Sequence, residues 1–328
     1  MPNGILIVDK PAGWTSQDVA AKLRGVYHEK RVGHGGTLDP MATGVLPIFL
    51  GRATRAVPFF EHADKVYEAT LRLGLITDTQ DITGRTLEEH PVDVTLEQVE
   101  AVLASFRGEI AQIPPMYSAI KIGGQKLYAL ARKGREVERE PRPVTIYRLD
   151  LLDEASGIKD QASGDGGTDC HGQFTNWPRN DKTGSSPNPC SCQLSTVNCQ
   201  LRVHCSKGTY VRTLCHDIGA ALGCGGCMAA LRRTRAGRYG IEQAHTLEEI
   251  LAAPDPEALL LPVDSLFSDR PALTVNEDGE RKLRNGAVVS TLNAIDGEYR
   301  VYGPQGDFLA LCVVTQGELH TIKSFFEV

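Results

Sequence analysis

The chain has 328 residues, and no cysteine precedes Cys170. All nine cysteines fall between Cys170 and Cys312, an odd count in a long chain. A secreted disulfide scaffold would be shorter and denser in cysteine, so the thiols read as reduced. Also absent is any apolar run near the roughly 20 residues that span a bilayer. The N-terminus offers only a strand-length apolar stretch, Gly4-Ile-Leu-Ile-Val8, ended by Asp9. It lacks the basic start, longer apolar core and small-residue cleavage site of a signal peptide. These absences predict a cytoplasmic protein with no membrane partner. An excess of positive charge is missing too: the formal net charge is -6. Whole-molecule charge therefore announces no nucleic-acid partner.

What is present is ordinary in bulk and uneven in detail. Hydrophobic residues make up 41% and charged residues 23%, enough for a normal buried core and a soluble surface. The length allows one large domain and one small one. Basic residues crowd two stretches. One holds Lys121, Lys126, Arg132, Lys133, Arg135, Arg139 and Arg142; the other holds Arg212, Arg232, Arg233, Arg235 and Arg238. Such footprints on an acidic body are what phosphate binding requires, and they are equally what two solvated faces look like.

Periodicity then sketches the elements. Residues 4–8 read as a buried strand, and Ser16 as the N-cap of a helix carrying Val19, Leu23, Val26 and Tyr27. Residues 31–47, rich in glycine and proline, read as one long loop. Residues 66–73 alternate as a half-buried strand, with Tyr67, Ala69, Leu71 and Leu73 on one face. Thr95 and Gln98 form a capping box before a helix with Leu96, Val99, Val102, Leu103 and Phe106. Residues 144–152 and 199–205 are further strands, and 209–222 a helix stopped by Gly223. Another helix covers 246–252, and Pro254 and Pro256 mark a linker. Beyond residue 262 come five short strands, at 272–275, 287–290, 299–302, 308–314 and 320–326, which predict a compact β-barrel-like domain. About residues 155–198 the chain is dense in Gly, Ser, Asp, Asn and Pro and reads as an insertion at a hairpin tip.

The candidate for chemistry is Asp39, in Val32-Gly-His-Gly-Gly-Thr-Leu-Asp-Pro-Met-Ala-Thr-Gly-Val-Leu-Pro47. An isolated Asp-Pro is usually only a turn. The whole string, however, resembles the catalytic loop of the tRNA pseudouridine synthase B (TruB) family. Five more stretches keep the same family order. Lys10-Pro-Ala-Gly-Trp-Thr-Ser16 resembles the first motif, and Lys65-Val-Tyr67 the tyrosine motif. Pro114-Pro-Met-Tyr-Ser-Ala-Ile-Lys121, followed by Gly124, Lys126, Tyr128, Ala131, Arg132 and Gly134, is similar to the long central signature. Ser206-Lys-Gly-Thr-Tyr-Val-Arg212 and Leu231-Arg-Arg-Thr234 resemble the remaining active-site motifs.

The resemblance implies a reaction. One N-glycosidic bond of uridine breaks, the uracil turns, and C5 joins the ribose, at position 55 in the TΨC loop of tRNA. Nothing is hydrolysed or oxidised, so neither metal nor organic cofactor is implied. One carboxylate must act at the ribose, as a nucleophile or as a base. A glycoside hydrolase would need two paired carboxylates, and no second acid lies between Val32 and Pro47.

Roles follow the motifs. Asp39 is the catalytic carboxylate, Arg212 the cation that keeps it ionised, and Tyr67 the ring that stacks on uracil and helps remove the C5 proton. Tyr210 and Leu231 match positions contacting uracil. The target base must be flipped out, and His34 matches the residue that fills the vacated place. Lys10 either contacts RNA or supports the Asp39 loop.

The implied fold is α+β: a mixed, mainly antiparallel sheet with flanking helices over 1–255, and a PUA-like RNA-binding domain over 262–328. The implied partner is tRNA, gripped at the T arm and acceptor end by a monomer with no protein partner. An RNA-binding or RNA-folding module without catalysis is the reading from another class, and the trio Asp39, Tyr67 and Arg212 argues against it. An enzyme acting on a different RNA would share every catalytic residue.

Two features depart from the family. The insertion at 155–198 has no counterpart, and its Cys170-His171 and Cys190-Ser-Cys192 are poorly spaced for structural zinc. Cys224-Gly-Gly-Cys227 stands where the family usually has Gly-x-His, with Cys227 at the histidine position. Its Cys-x-x-Cys spacing reads as coincidence, with a redox pair as the alternative.

Overall fold

The structure is a computed structural model that describes residues 2–152, 197–291 and 294–326. The insertion expected at 155–198, with Cys170, His171, Cys190 and Cys192, lies almost entirely outside the described residues. The chain divides into two compact units. The first comprises Met1–Glu68, Val203–Thr209 and Ala230–Val328; the second comprises Ala69–Arg202 and Tyr210–Ala229.

The first unit is built on β1 (Gly4–Lys10), β2 (Val32–His34), β3 (Thr43–Leu50) and the head of β4 (Lys65–Leu73). The run Ile5-Leu-Ile-Val8 is buried on both faces, which explains why it is continuously apolar. Strand β1 pairs antiparallel with β3 from Gly4 opposite Leu50 to Lys10 opposite Gly44. On its other side β3 pairs in parallel with the strand Gly226–Ala236, placing Arg233 opposite Gly44. One rung of the sheet therefore reads Lys10, Gly44, Arg233. The strand His245–Thr246 pairs in parallel with the outer side of β1.

The loop expected over 31–47 is shorter. Strands β2 and β3 claim its two ends, leaving 35–42 between them. Its glycines and prolines suggested a loop throughout, but Val45, Leu46, Ile48, Phe49 and Leu50 are all buried, and that burial holds the segment extended. Strand Gly226–Ala236 was not expected at all. Its inward set includes a buried arginine, Arg233, so its apolar and polar residues do not alternate as a half-buried strand should.

Helix α1 (Ser16–Val26) starts one residue earlier than the capping reading implied. The N-cap is Thr15, whose hydroxyl accepts from Asp18 while the Asp18 carboxylate accepts from the Thr15 N–H. Ser16 is instead buried, with its hydroxyl turned to another segment.

The C-terminal strands form a five-stranded sheet in the order Ala272–Thr274, Gly297–Tyr302, Phe308–Thr315, Glu318–Ser324, Val289–Ser290. Around it lies its own core of Val275, Leu283, Val301, Leu309, Cys312 and Leu319. A charged helix, Glu277–Arg284, joins the expected strands. Phe267, Leu311 and Phe325 pack with Phe49, Phe60 and Tyr239 in a second cluster of the first unit.

In the second unit the strand order is Val197–Cys205, Arg142–Leu151, Gly108–Gln112. The last two pair antiparallel, with Val144 opposite Ile110. Helix Leu96–Ser105 carries the expected capping box of Thr95 and Gln98 and buries Val99 and Leu103. Helix Val211–Ala221 buries Leu214 and Ile218, and Gly223 follows its end at φ 78°. The fold class is thus mixed α/β, mainly antiparallel, with flanking helices and a C-terminal β-sheet. Among the described residues no helix is long and apolar enough to cross a membrane.

Candidate active site

In the first unit everything converges on the loop that carries Asp39, which is half-buried. The residue before it is clamped by Ser16. The Ser16 hydroxyl accepts from the Leu38 N–H at 2.8 Å and donates to the Leu38 carbonyl at 3.2 Å. The residue after it is clamped by the Lys10–Gly13 turn. The Pro40 carbonyl accepts from the Gly13 N–H at 2.8 Å and from the Lys10 ammonium at 3.2 Å. The first sequence motif is therefore the cradle of the second, and the carboxylate between Leu38 and Pro40 is aimed by bonds on both flanks.

Lys10 is fully buried, and its ammonium also donates to the carbonyls of Pro11 at 2.8 Å and Trp14 at 2.7 Å. Three carbonyls around one ammonium match its three donors. This placement fits the loop-supporting alternative better than direct contact with RNA. Burial pushes the Lys10 pKa down to about 8; the nearby Asp39 charge opposes that shift and Arg233 adds to it. Asp39 thus faces a buried cation inside its own unit.

Arg233 is the residue that sequence reading passed over, though its motif was in view. It is 1% exposed, and among the described residues it forms no ion pair with a carboxylate. Its Nε donates to the Val45 carbonyl at 2.7 Å and its Nη2 to the Gly36 carbonyl at 3.0 Å. Its charge also acts on the buried Tyr67 phenol, opposing the rise that burial causes there. One planar fork thereby ties the start of the Asp39 loop to the strand that follows it. The available signal was spacing: in a strand, Arg233 must share a face with Leu231, two residues before it, which is also buried.

Gly44 makes this approach possible. Its φ is 99°, and a Cβ there would lie 2.2 Å from the Arg233 carbonyl oxygen.

Tyr67 is buried on β4, and desolvation raises its pKa, so the phenol rests protonated; Arg233 offsets part of that rise. His34, half-buried at the end of β2, has its pKa lowered by burial and then by Arg233, so the imidazole rests neutral near pH 7. Its buried Nδ1 has no hydrogen-bond partner among the described residues.

The second unit holds Tyr210 and Arg212. Tyr210 is the N-cap of helix Val211–Ala221. Its N–H donates to Gln112 Oε1 at 3.0 Å, and its carbonyl accepts from Gln112 Nε2 at 3.3 Å. Arg212, 6% exposed, donates to the carbonyls of Thr79 at 3.2 Å and Tyr117 at 2.9 Å. Asp81 stands 3.7 Å from it as a buried counter-charge. The Asp81 carboxylate is itself fixed by the hydroxyls of Thr79 and Thr83. This second acid escaped the sequence reading because it lies far from the Asp39 loop in the chain.

Cys224 and Cys227 are both free and buried. Burial raises both thiols, Cys227 to about 11, the opposite of a reactive Cys-x-x-Cys pair. Among the described residues no group of three His, Cys, Asp or Glu could hold a metal ion.

Comparison with known proteins points to one family. Residues 24–162 match the model of the TruB family pseudouridylate synthase N-terminal domain, and residues 212–268 that of the tRNA pseudouridylate synthase B C-terminal domain. The class of protein is therefore a pseudouridylate synthase. Full-length relatives narrow it. The chain is 37% identical over 329 residues to the tRNA pseudouridine synthase B of Francisella philomiragia, covering 99% of this chain and 95% of that one. It is 41% identical to the same enzyme of Ralstonia pickettii, covering 92% and 85%. The chain belongs to the tRNA pseudouridine synthase B (TruB) family. In fold it is similar to a chain from the crystal structure of a Cbf5-Nop10-Gar1 complex, with TM-score 0.66 at 23% identity, covering 99% of this chain and 85% of that one. A chain of an H/ACA RNP bound to a substrate RNA containing 2'-deoxyuridine gives TM-score 0.65 at 21% identity, with 99% and 86% covered.

Proposed function

We propose that the chain isomerises uridine 55 in the TΨC loop of tRNA to pseudouridine, with Asp39 as its single catalytic carboxylate. The observation that carries the reading is the two-sided clamp on Asp39. A carboxylate fixed through Leu38 and Pro40, beside a buried ammonium, is pre-aimed at one atom of a substrate. Asp39 acts on the ribose of the extruded nucleotide. Tyr67 stacks on the uracil and helps remove the C5 proton, with Arg233 offsetting part of the penalty on its anion. Tyr210 and Leu231 contact the base. The neutral ring of His34 takes the place the base vacates. The family motif assigns Arg212 the task of keeping Asp39 ionised.

The working partner is tRNA, held at its T arm and acceptor end. The sheet beyond residue 262 serves as the PUA-like grip, and residues 1–255 carry the chemistry. The protein works as a monomer in the cytoplasm and uses no cofactor.

The test is direct. A tRNA transcript incubated with the protein should gain pseudouridine at position 55. Asp39→Asn should abolish product and retain tRNA binding. An unmodified loop uridine with the wild-type protein would sink the substrate assignment, and turnover by Asp39→Asn would sink the role of Asp39.

A further inference from the structure

A cluster of charge in the first unit lies outside the residues assigned so far. The segment after the short helix Val57–Phe60 faces the end of strand Val197–Cys205. Lys207 Nζ lies 2.7 Å from His62 Nδ1, and His204 Nε2 lies 3.7 Å from the Asp64 carboxylate. A third element joins them: Arg235 Nη2 lies 3.3 Å from His204 Nε2, and the Gly237 N–H donates to the Asp64 carbonyl at 2.7 Å. The buried Lys65 holds the segment in shape, donating to the carbonyls of Glu61 at 3.3 Å and Ala63 at 2.5 Å.

Lys207 and Arg235 are both exposed, and among the described residues neither forms an ion pair with a carboxylate. Each reaches an imidazole nitrogen instead. Lys207 and Arg235 present two exposed cations against His62 and His204, and the Asp64 carboxylate faces His204. An excess of positive charge, open to water and set on fixed elements, is what a phosphodiester recognises. The cluster also borders the chemistry. The charge of Lys207 acts on Lys65, which stands two residues before Tyr67.

We propose that Lys207 and Arg235 together bind one backbone phosphate of the RNA strand that carries the target uridine, with His62 and His204 holding the two cations in place. The proposal rests on the RNA reading above and adds a subsite to it.

Binding of an unmodified tRNA transcript is titrated across a range of salt with the wild type, Arg235→Gln, Lys207→Gln, the double variant and Arg235→Lys. Each glutamine variant should weaken binding roughly three- to tenfold at low salt and flatten the plot of log K against log salt by about 0.7–0.9, one phosphate's worth. The double variant should flatten it no further, because both cations grip the same phosphate. Arg235→Lys should keep the wild-type slope. An unchanged slope in the glutamine variants, with the wild type binding normally, would overturn the site alone. Slopes that add in the double variant would overturn the shared phosphate. A wild type that does not bind tRNA at any salt would overturn the RNA reading, and the site with it. Both side chains are exposed, and matching unfolding midpoints would confirm that the variants fold.

Discussion

Replacing Ser16 by alanine removes one oxygen and leaves the Cβ in place. In the native protein that oxygen accepts from the Leu38 N–H at 2.8 Å and donates to the Leu38 carbonyl at 3.2 Å. Ser16 is 1% exposed and Leu38 4%, so water does not readily replace what is lost. A buried backbone group left without its partner costs about 1–3 kcal/mol. Two such groups give roughly 2–6 kcal/mol, and relaxation of the loop should bring the measured loss to about 2–3 kcal/mol. The same change frees the residue before Asp39. A shift of the order of 1 Å in a reacting group costs about 100-fold in rate, so kcat should fall by roughly that factor.

Denaturant unfolding gives the first number and pseudouridine formation at saturating tRNA the second. Thr15→Ala is the control. It removes the cap of α1, which costs about 1 kcal/mol, yet touches nothing at Leu38, so its kcat should stay near wild type. If Ser16→Ala loses under 0.5 kcal/mol and keeps its kcat, the loop is not held through Leu38. If Thr15→Ala loses as much kcat as Ser16→Ala, the helix rather than the clamp sets the loop.

Other expectations follow from the same rung of the sheet. Arg233→Lys keeps the charge but loses the fork to Val45 and Gly36, so kcat should fall about 10- to 100-fold. In Arg233→Gln the His34 imidazole should titrate higher by NMR, since Arg233 helps depress it; an unchanged titration would refute that proximity. Gly44→Ala should destabilise by about 3 kcal/mol or more, because its Cβ would lie 2.2 Å from the Arg233 carbonyl at a φ of 99°. A variant of wild-type stability would contradict that contact. Lys10 titrates near 8 in the folded state and at its ordinary 10.5 unfolded. Between those values the unfolded chain binds more protons, so this group's contribution makes the fold more stable as pH rises. Activity should run the other way, falling as pH passes about 8, because Asp39 loses its neighbouring charge. Lys10→Arg should abolish that activity limb, and its persistence would assign the limb elsewhere.

Much of the secondary structure was legible because it depends on local pattern. The alternation of residues 66–73, the Thr95–Gln98 box and the Gly223 stop all reappear, since a half-buried strand and a capped helix leave direct marks on neighbouring residues. The misses share one cause. Ser16 looked like a cap because serine before an apolar stripe usually is one; its true partner, Leu38, is distant in the chain. Residues 43–47 looked like loop because glycine and proline mark turns, yet pairing on both sides holds them extended. Arg233 looked like surface charge, because nothing local tells a buried guanidinium from a solvated one.

By itself the sequence determined the family, the order of its motifs and Asp39 as the candidate acid, since these are properties of residue identity along the chain. Tertiary structure alone decided that Ser16 and Lys10 hold the two flanks of that acid, and that Arg233 reaches across from the far end of the chain to the Asp39 loop and Tyr67. Those facts depend on strand pairing. Lys10 and Arg233 flank Gly44 only because β3 pairs antiparallel with one neighbour and parallel with the other, a register set by which faces are buried.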